Sequence, residues 1–439
     1  VIPPLTLRLP RGLLDPRLAS GFQADADGLV PLQIRISGEV VTAIEPLPAG
    51  DPATQAALPL ALTPLVEPHA HLDKAFTAAA YPNREGTMWA ALAANQREYG
   101  ARTGEQVAAR AELALDRAWR NGVRAIRSHI DSVGPAAHAS WEALLDARQR
   151  WRGRVELQLV ALAPLAHWLS PAGEALARAV ADGQGLLGGV IGPPYGQGAA
   201  RRAADREALV ALLDLAERFG CGVDLHVDES DDHPGVGVDL VARVALEQRR
   251  AVAITCSHAS SMGLLPPRAC DQLAERLAAA EIAVVALPIT NFWLLGRTPG
   301  RTPWRRPLAP IRSLQRAGVR LALGGDNVQD PWYPGGDFDP VELLRWAAPL
   351  CQLMPWQRLG LAPFSTAAAA LLELAWDGVL RVGGPADLVL LGAGSWGELL
   401  ARPPQRRVLR AGQWLPVPAQ EQPSPLLLPW GGAPAPARV

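Results

Sequence analysis

Two histidines stand one residue apart in the stretch "VEPHAHLDKAF", at the end of an apolar run and beside Asp73 and Lys74. In an extended strand, residues two apart point to the same side, so His69 and His71 can aim both imidazoles at one point. A buried imidazole pair needs a partner, and a metal ion is one; a chance pair on a solvated loop is the alternative. Further along, "GVRAIRSHID" closes on His129 and Asp131, and "GVDLHVDE" on His226, Asp228 and Glu229. "AVAITCSHAS" carries His258 and "VRLALGGDN" carries Asp326. Of the chain's eight histidines, all but His138, His167 and His233 fall at such run ends. Three neutral imidazoles and a carboxylate make a nitrogen/oxygen site suited to zinc or iron, with room for a water. Such an ion lowers the pKa of that water from about 15.7 toward roughly 7. A neighbouring carboxylate can hold the water's proton, and a second acid can protonate a leaving nitrogen. The chemistry that follows is hydrolysis at an electrophilic carbon bearing nitrogen.

The runs that present these residues alternate with Ala/Leu/Arg-rich stretches of helical spacing, such as "REALVALLDLAERFG". Eight β-type runs between about Ala61 and Asn327 give the pattern of a closed α/β structure, a (β/α)8 TIM-type barrel. In such barrels the C-terminal ends of the strands carry the site. A doubly wound open sheet is the alternative, and no glycine-rich dinucleotide fingerprint supports it. Residues 61–375 are assigned to the barrel. Residues 1–60, with "LQIRISGEVVTAIEPL", and 376–415, with "GGPADLVLLGAG" and "RRVLRAGQWL", are assigned to a small β-sandwich domain formed by both chain ends. Residues 416–439, rich in Pro and Ala, read as an extended or disordered tail.

Composition narrows the function classes. Hydrophobic residues at 49% and charged residues at 19% describe a soluble chain with a large core, and a net charge of −1 offers no nucleic-acid footprint. Cys221, Cys256, Cys270 and Cys351 show no close pairing, as expected of free thiols in a reducing cytosol. "VIPPLTLRLPRGLLDP" lacks the basic-then-apolar pattern of a signal peptide, and no apolar run is long enough to span a bilayer. A cytoplasmic protein is expected, with neither a nucleic acid nor a membrane as partner. Lys74 is the sole lysine in the chain.

"EPHAHLDK", "SHIDS", "HVDESDD", "SHASSM", "NFWLLGR" and "GGDNVQDPWYPGGD", in this order, resemble the amidohydrolase superfamily, specifically its cytosine deaminase-like branch. The resemblance runs from about Val40 to Gly412. It implies one divalent metal ion, Zn2+ or Fe2+, held by His69, His71, His226 and Asp326. It implies that Glu229 shuttles a proton to a ring nitrogen, that His258 polarises the attacking water, and that Asp326 relays the water's proton. Trp332 would close over the flat face of a heterocycle, or only pack its loop. Some members hold two metals bridged by a carboxylated lysine on the fourth strand, but "GLLGGVIGPP" has none, so a single ion is expected.

Departures from the pattern bear on the substrate. The resemblance places a Phe-Pro-Gln run after the third strand, whose glutamine reads a pyrimidine amide edge; here "LVALAPLAHWLS" brings Ala163, Pro164, Leu165 and His167. Asn327 stands where an aspartate normally follows the metal-binding aspartate. Lys74 after "HLD" is closer to the aminotriazine and N-isopropylammelide hydrolases, and it either meets an anionic ring substituent or pairs with Asp73. His129 either contacts substrate or supports the site from behind, and His167 is a further candidate contact. The expected reaction is hydrolytic deamination of a small amino-substituted heterocycle other than cytosine. The alternatives are release of an alkylamine or opening of a cyclic amide at the same site, or a catalytically silent scaffold, which would be expected to lack ligands that are all present. The zinc deaminases that edit nucleic acids are disfavoured, since no Pro-Cys-x-x-Cys signature occurs. Assembly into a homo-oligomer, common among such relatives, is also an expectation.

Overall fold

The computed structural model describes residues 2–47, 57–192, 199–357 and 359–416; the proline-rich tail beyond Pro416 lies outside them. Strands β1 (Leu5–Pro10), β2 (Leu29–Ser37), β3 (Val40–Pro46) and β4 (Leu60–Leu62) come first. Then follow β5 (Leu65–Ala70), β6 (Val123–Asp131), β7 (Glu156–Pro164), β8 (Leu186–Ile191), β9 (Val223–Val227), β10 (Ile254–His258), β11 (Ala283–Ala286) and β12 (Leu321–Leu323). The last strands are β13 (Leu388–Leu391), β14 (Arg406–Arg410) and β15 (Gln413–Trp414).

Strands β5 to β12 form an eight-stranded parallel sheet in sequence order, with helices between them. The sheet closes where Ala70 bridges Asp326 in parallel register. This is the expected barrel. Its helices follow from local signals. The helix Gly104–Arg120, for instance, starts at a reciprocal capping box between Thr103 and Gln106, and it buries Val107, Ala111, Ala114, Leu115 and Ala118 along one stripe.

The other seven strands make one mixed sheet in the order β15-β14-β13-β4-β1-β2-β3, so the two ends of the chain interleave. Here the structure refines the sequence. The single run "ALTPLVEPHAH" divides, with Leu60–Leu62 joining the mixed sheet and Leu65–Ala70 the barrel. Pro64 lies between them and has no N–H to continue a ladder. Leu7, Leu32, Leu62 and Leu388 of the mixed sheet share an apolar cluster with Leu225 and Val284 of the barrel. Among the described residues no helix is long and apolar enough to cross a membrane.

Candidate active site

The barrel interior is polar on its inward phase. Glu67, Arg127, Asp224 and Ser257 are buried there, and Arg127 donates to Asp224 at 2.8 Å and to Gln158 at 3.0 Å. One layer nearer the C-terminal ends, the same alternation puts His69 above Glu67, His129 above Arg127 and His226 above Asp224. Two site residues break the alternation. His258 and Asp326 take φ of 70° and 65°, a left-handed conformation costing on the order of 1–3 kcal/mol each for a residue with a side chain.

The result is a cluster of buried nitrogens and oxygens aimed at one another. Asp326 Oδ1 lies 3.5 Å from His69 Nε2 and 3.3 Å from His71 Nε2, and His71 Nε2 lies 3.4 Å from His226 Nε2. One ligand atom from each of His69, His71 and His226 falls within 4.8 Å of the others, and the same holds for His69, His258 and Asp326. Burial and the neighbouring imidazoles push His69 and His226 well below the usual histidine pKa, so their rings are neutral and offer lone pairs. His69 Nε2 and both Asp326 oxygens have no hydrogen-bond partner among the described residues. Such a donor set fits a divalent cation.

Hydrogen bonds settle which nitrogen of two rings is bare. Ser257 Oγ donates to Asp224 Oδ1 at 2.8 Å, so at 2.9 Å from His69 Nδ1 it must accept from that ring. The His69 proton therefore sits on Nδ1 and the lone pair on Nε2. His258 is the reverse. Asn291 Nδ2 lies 3.0 Å from His258 Nδ1 and donates to it, which leaves Nε2 as the N–H, 3.7 Å from Glu229. Burial drives the His258 pKa to about 4, so this ring too is neutral. Burial, with Asp326 nearby, raises the Glu229 carboxyl well above the usual range.

These groups open onto a cavity of about 550 Å3, the size of a small-molecule site. His71, His226, Glu229, His258 and Asp326 line it. Leu162, Leu165 and Val190 give it apolar wall, and Trp332 and Asn327 belong to it as well. Lys74 also faces it, but pairs with Asp131 at 2.8 Å and not with Asp73, whose carboxylate is taken by Arg102 at 2.7 Å. Burial depresses the Lys74 amine, Asp131 and Asp73 outweigh it, and the group ends above its ordinary value.

The structure thus brings nine of the eleven candidate site residues together and leaves two aside. His129 does not line the cavity; fully buried, its ring stacks on His69 with centroids 3.9 Å apart, behind the cluster. His167 sits on the tight turn Leu165–Leu169 with its ring edge-on to Trp168, whereas Leu165 and Ala166 of that turn face the cavity. Ser257, Asp224 and Asn291, which hold the His69 and His258 rings directly or in series, are not among the candidate residues, although Ser257 and Asn291 open the motifs "SHASSM" and "NFWLLGR". Asp224 has a visible signal, its two-residue phase with His226.

A sequence model described as the amidohydrolase family matches residues 83–415. The chain is 33% identical over 397 residues to the pterin deaminase of Rhizobium rhizogenes, covering 88% of each chain. It is 25% identical over 334 residues to the N-isopropylammelide isopropyl amidohydrolase of a Pseudomonas species, covering 74% of this chain and 78% of that one. Among solved structures, 5-methylcytosine deaminase from Klebsiella pneumoniae, liganded with phosphonocytosine, superposes with a TM-score of 0.78 at 26% identity, covering 94% of this chain and 98% of that one.

Proposed function

The chain belongs to the amidohydrolase family of metal-dependent hydrolases that cleave carbon–nitrogen bonds, and on that premise we propose that it is a mononuclear hydrolytic deaminase of a fused-ring, amino-substituted heterocycle. The observation that carries this reading is the convergence of His69, His71, His226 and Asp326 at a cavity that Glu229 and His258 also enter.

His69, His71, His226 and Asp326 would hold the ion, zinc or iron. The bound ion supplies Lewis acidity. The chain's own groups do the rest. Asp326 accepts the proton of the attacking water. The Nε2–H of His258 hydrogen-bonds the reacting oxygen. Glu229, kept protonated by its burial, donates to the ring nitrogen beside the carbon under attack. Asp326 passes the water's first proton to the amino group, which leaves as ammonia, while the second proton of the water returns to Glu229 as the ring carbonyl forms. Trp332 covers a face of the ring, and Lys74 and Asn327 meet its polar substituents.

Two observations favour a fused ring over cytosine: the 33% identical relative is a pterin deaminase, and the segment Ala163–His167, where the resemblance places a pyrimidine-reading glutamine, has none and gives the cavity Leu165. The test is product analysis with pterins, aminotriazines, cytosine and N-isopropylammelide. Ammonia from a fused aminopyrimidinone is the expected result. Isopropylamine alone would favour the second reading, which the amidohydrolase relative suggests, and turnover of cytosine alone would overturn the fused-ring assignment.

A further inference from the structure

The helix Met88–Ala101 gives Leu92, Asn95, Gln96 and Tyr99 to the cavity wall, the i, i+3, i+4, i+7 spacing of one helical face. Asn95 is only 9% exposed, and its Oδ1 has no partner among the described residues. A buried acceptor left unmade costs about 1–3 kcal/mol, so this position favours an occupant that donates to it.

Of the other neutral polar groups around the cavity, three already direct their donors to partners within the protein. Tyr99 Oη donates to the Val133 carbonyl at 3.1 Å, Ser132 Oγ to the Ile130 carbonyl at 2.7 Å, and Asn327 Nδ2 to Asp330 at 2.7 Å. Gln96 is exposed. Leu162, Leu165 and Val190 offer no polar side-chain atom. A carboxamide presents an acceptor and a donor side by side, which matches a ring N–H next to a ring carbonyl.

We propose that Asn95 is a specificity-determining residue that hydrogen-bonds the lactam edge of the heterocycle, doing from the helix after β5 what a glutamine after β7 would otherwise do. The proposal rests on the deaminase reading above and adds to it the substrate feature that is recognised.

The experiment compares a 2-amino-4-oxo fused pyrimidine with its 4-methoxy counterpart, which lacks the lactam N–H, on wild type, Asn95→Ala and the near-isosteric Asn95→Asp. For the oxo compound, Asn95→Ala should lower kcat/KM by about 10–100-fold, mostly through KM, as expected for losing a directed polar contact. For the methoxy compound it should change kcat/KM by less than about 3-fold. Asn95→Asp keeps an acceptor but loses the donor, and it should fall on the oxo compound as well. Bound metal per chain should be the same in all three proteins. Full retention of the oxo preference in both variants would overturn the inference and leave the Asn95 carboxamide a packing group of the cavity wall. Wild type that releases ammonia from neither compound, nor from any other amino-heterocycle, would instead overturn the deaminase reading, and the inference with it.

Discussion

The amide of Asp326 donates to the carbonyl of His69 across 3.0 Å, and this contact joins the end of the last barrel strand to the first. Glu67 reinforces the seam, accepting from the amides of His69 at 3.1 Å and of Gly325 at 2.9 Å. Burial lifts the Glu67 carboxyl to about 8, against the pull of the Gly325 and His69 N–H groups. The seam of the barrel and the base of the site are therefore the same few residues.

An ion held by His69, His71, His226 and Asp326 would tie that seam. A ligand present at 100 times its Kd stabilises a fold by about 2.7 kcal/mol. Chelation should therefore lower Tm by a few degrees, and added zinc or iron should restore it. A melting curve unmoved by exhaustive chelation, with metal loss verified, would show that these donors do not hold an ion in the folded protein.

Glu229→Gln removes the acid and keeps the shape. Metal content should stay at wild-type level while kcat falls by about 100- to 10,000-fold, the usual contribution of a positioned proton donor. Retained turnover would take the proton transfer away from Glu229.

Ser257→Ala breaks the chain His69–Ser257–Asp224–Arg127 at its link to the ring proposed to hold the metal. Loss of the partner that orients a ligand imidazole typically costs about 10- to 100-fold in metal affinity. Competition with a chromophoric chelator should show a weakening of that order, and unchanged affinity would mean that packing alone fixes the His69 ring.

Asp131 holds Lys74 on one oxygen and Arg102 on the other, at 2.8 and 3.3 Å. Burial alone would raise its carboxyl; Lys74 and Arg102 outweigh burial and hold it well below the ordinary range. An unfolded aspartate titrates near 3.9, so with a depressed folded value the stabilisation is complete above about pH 4 and fades as pH falls further. Asp131→Asn should lower Tm near neutrality, and its gap to wild type should narrow below about pH 4. A gap independent of pH would mean that the carboxylate's charge contributes nothing to stability.

His69, His71 and His226 are legible in sequence because strand phase and position at a run's end jointly place them. His258 and Asp326 are legible only as polar residues next to a run, since the left-handed turns that swing them inward leave no mark in hydrophobic periodicity. The division of the first run is foreshadowed by Pro64, but β1, in a proline-flanked stretch, is not singled out until its pairing with β2 is seen. Asn95 is hidden for another reason. Its helix has a weak amphipathic pattern, buries even Glu98, and shows which face meets the cavity only once the barrel is assembled.

Strand β4 pairs with β1 on one side and with β13 on the other, partners separated by more than three hundred positions along the chain. During ribosomal synthesis the second edge of Leu60–Leu62 thus stays uncovered until Leu388–Leu391 has emerged. An open edge of that kind invites pairing with other chains. That edge is still open when the barrel segments are already out, so shielding by a chaperone would be of use late in translation.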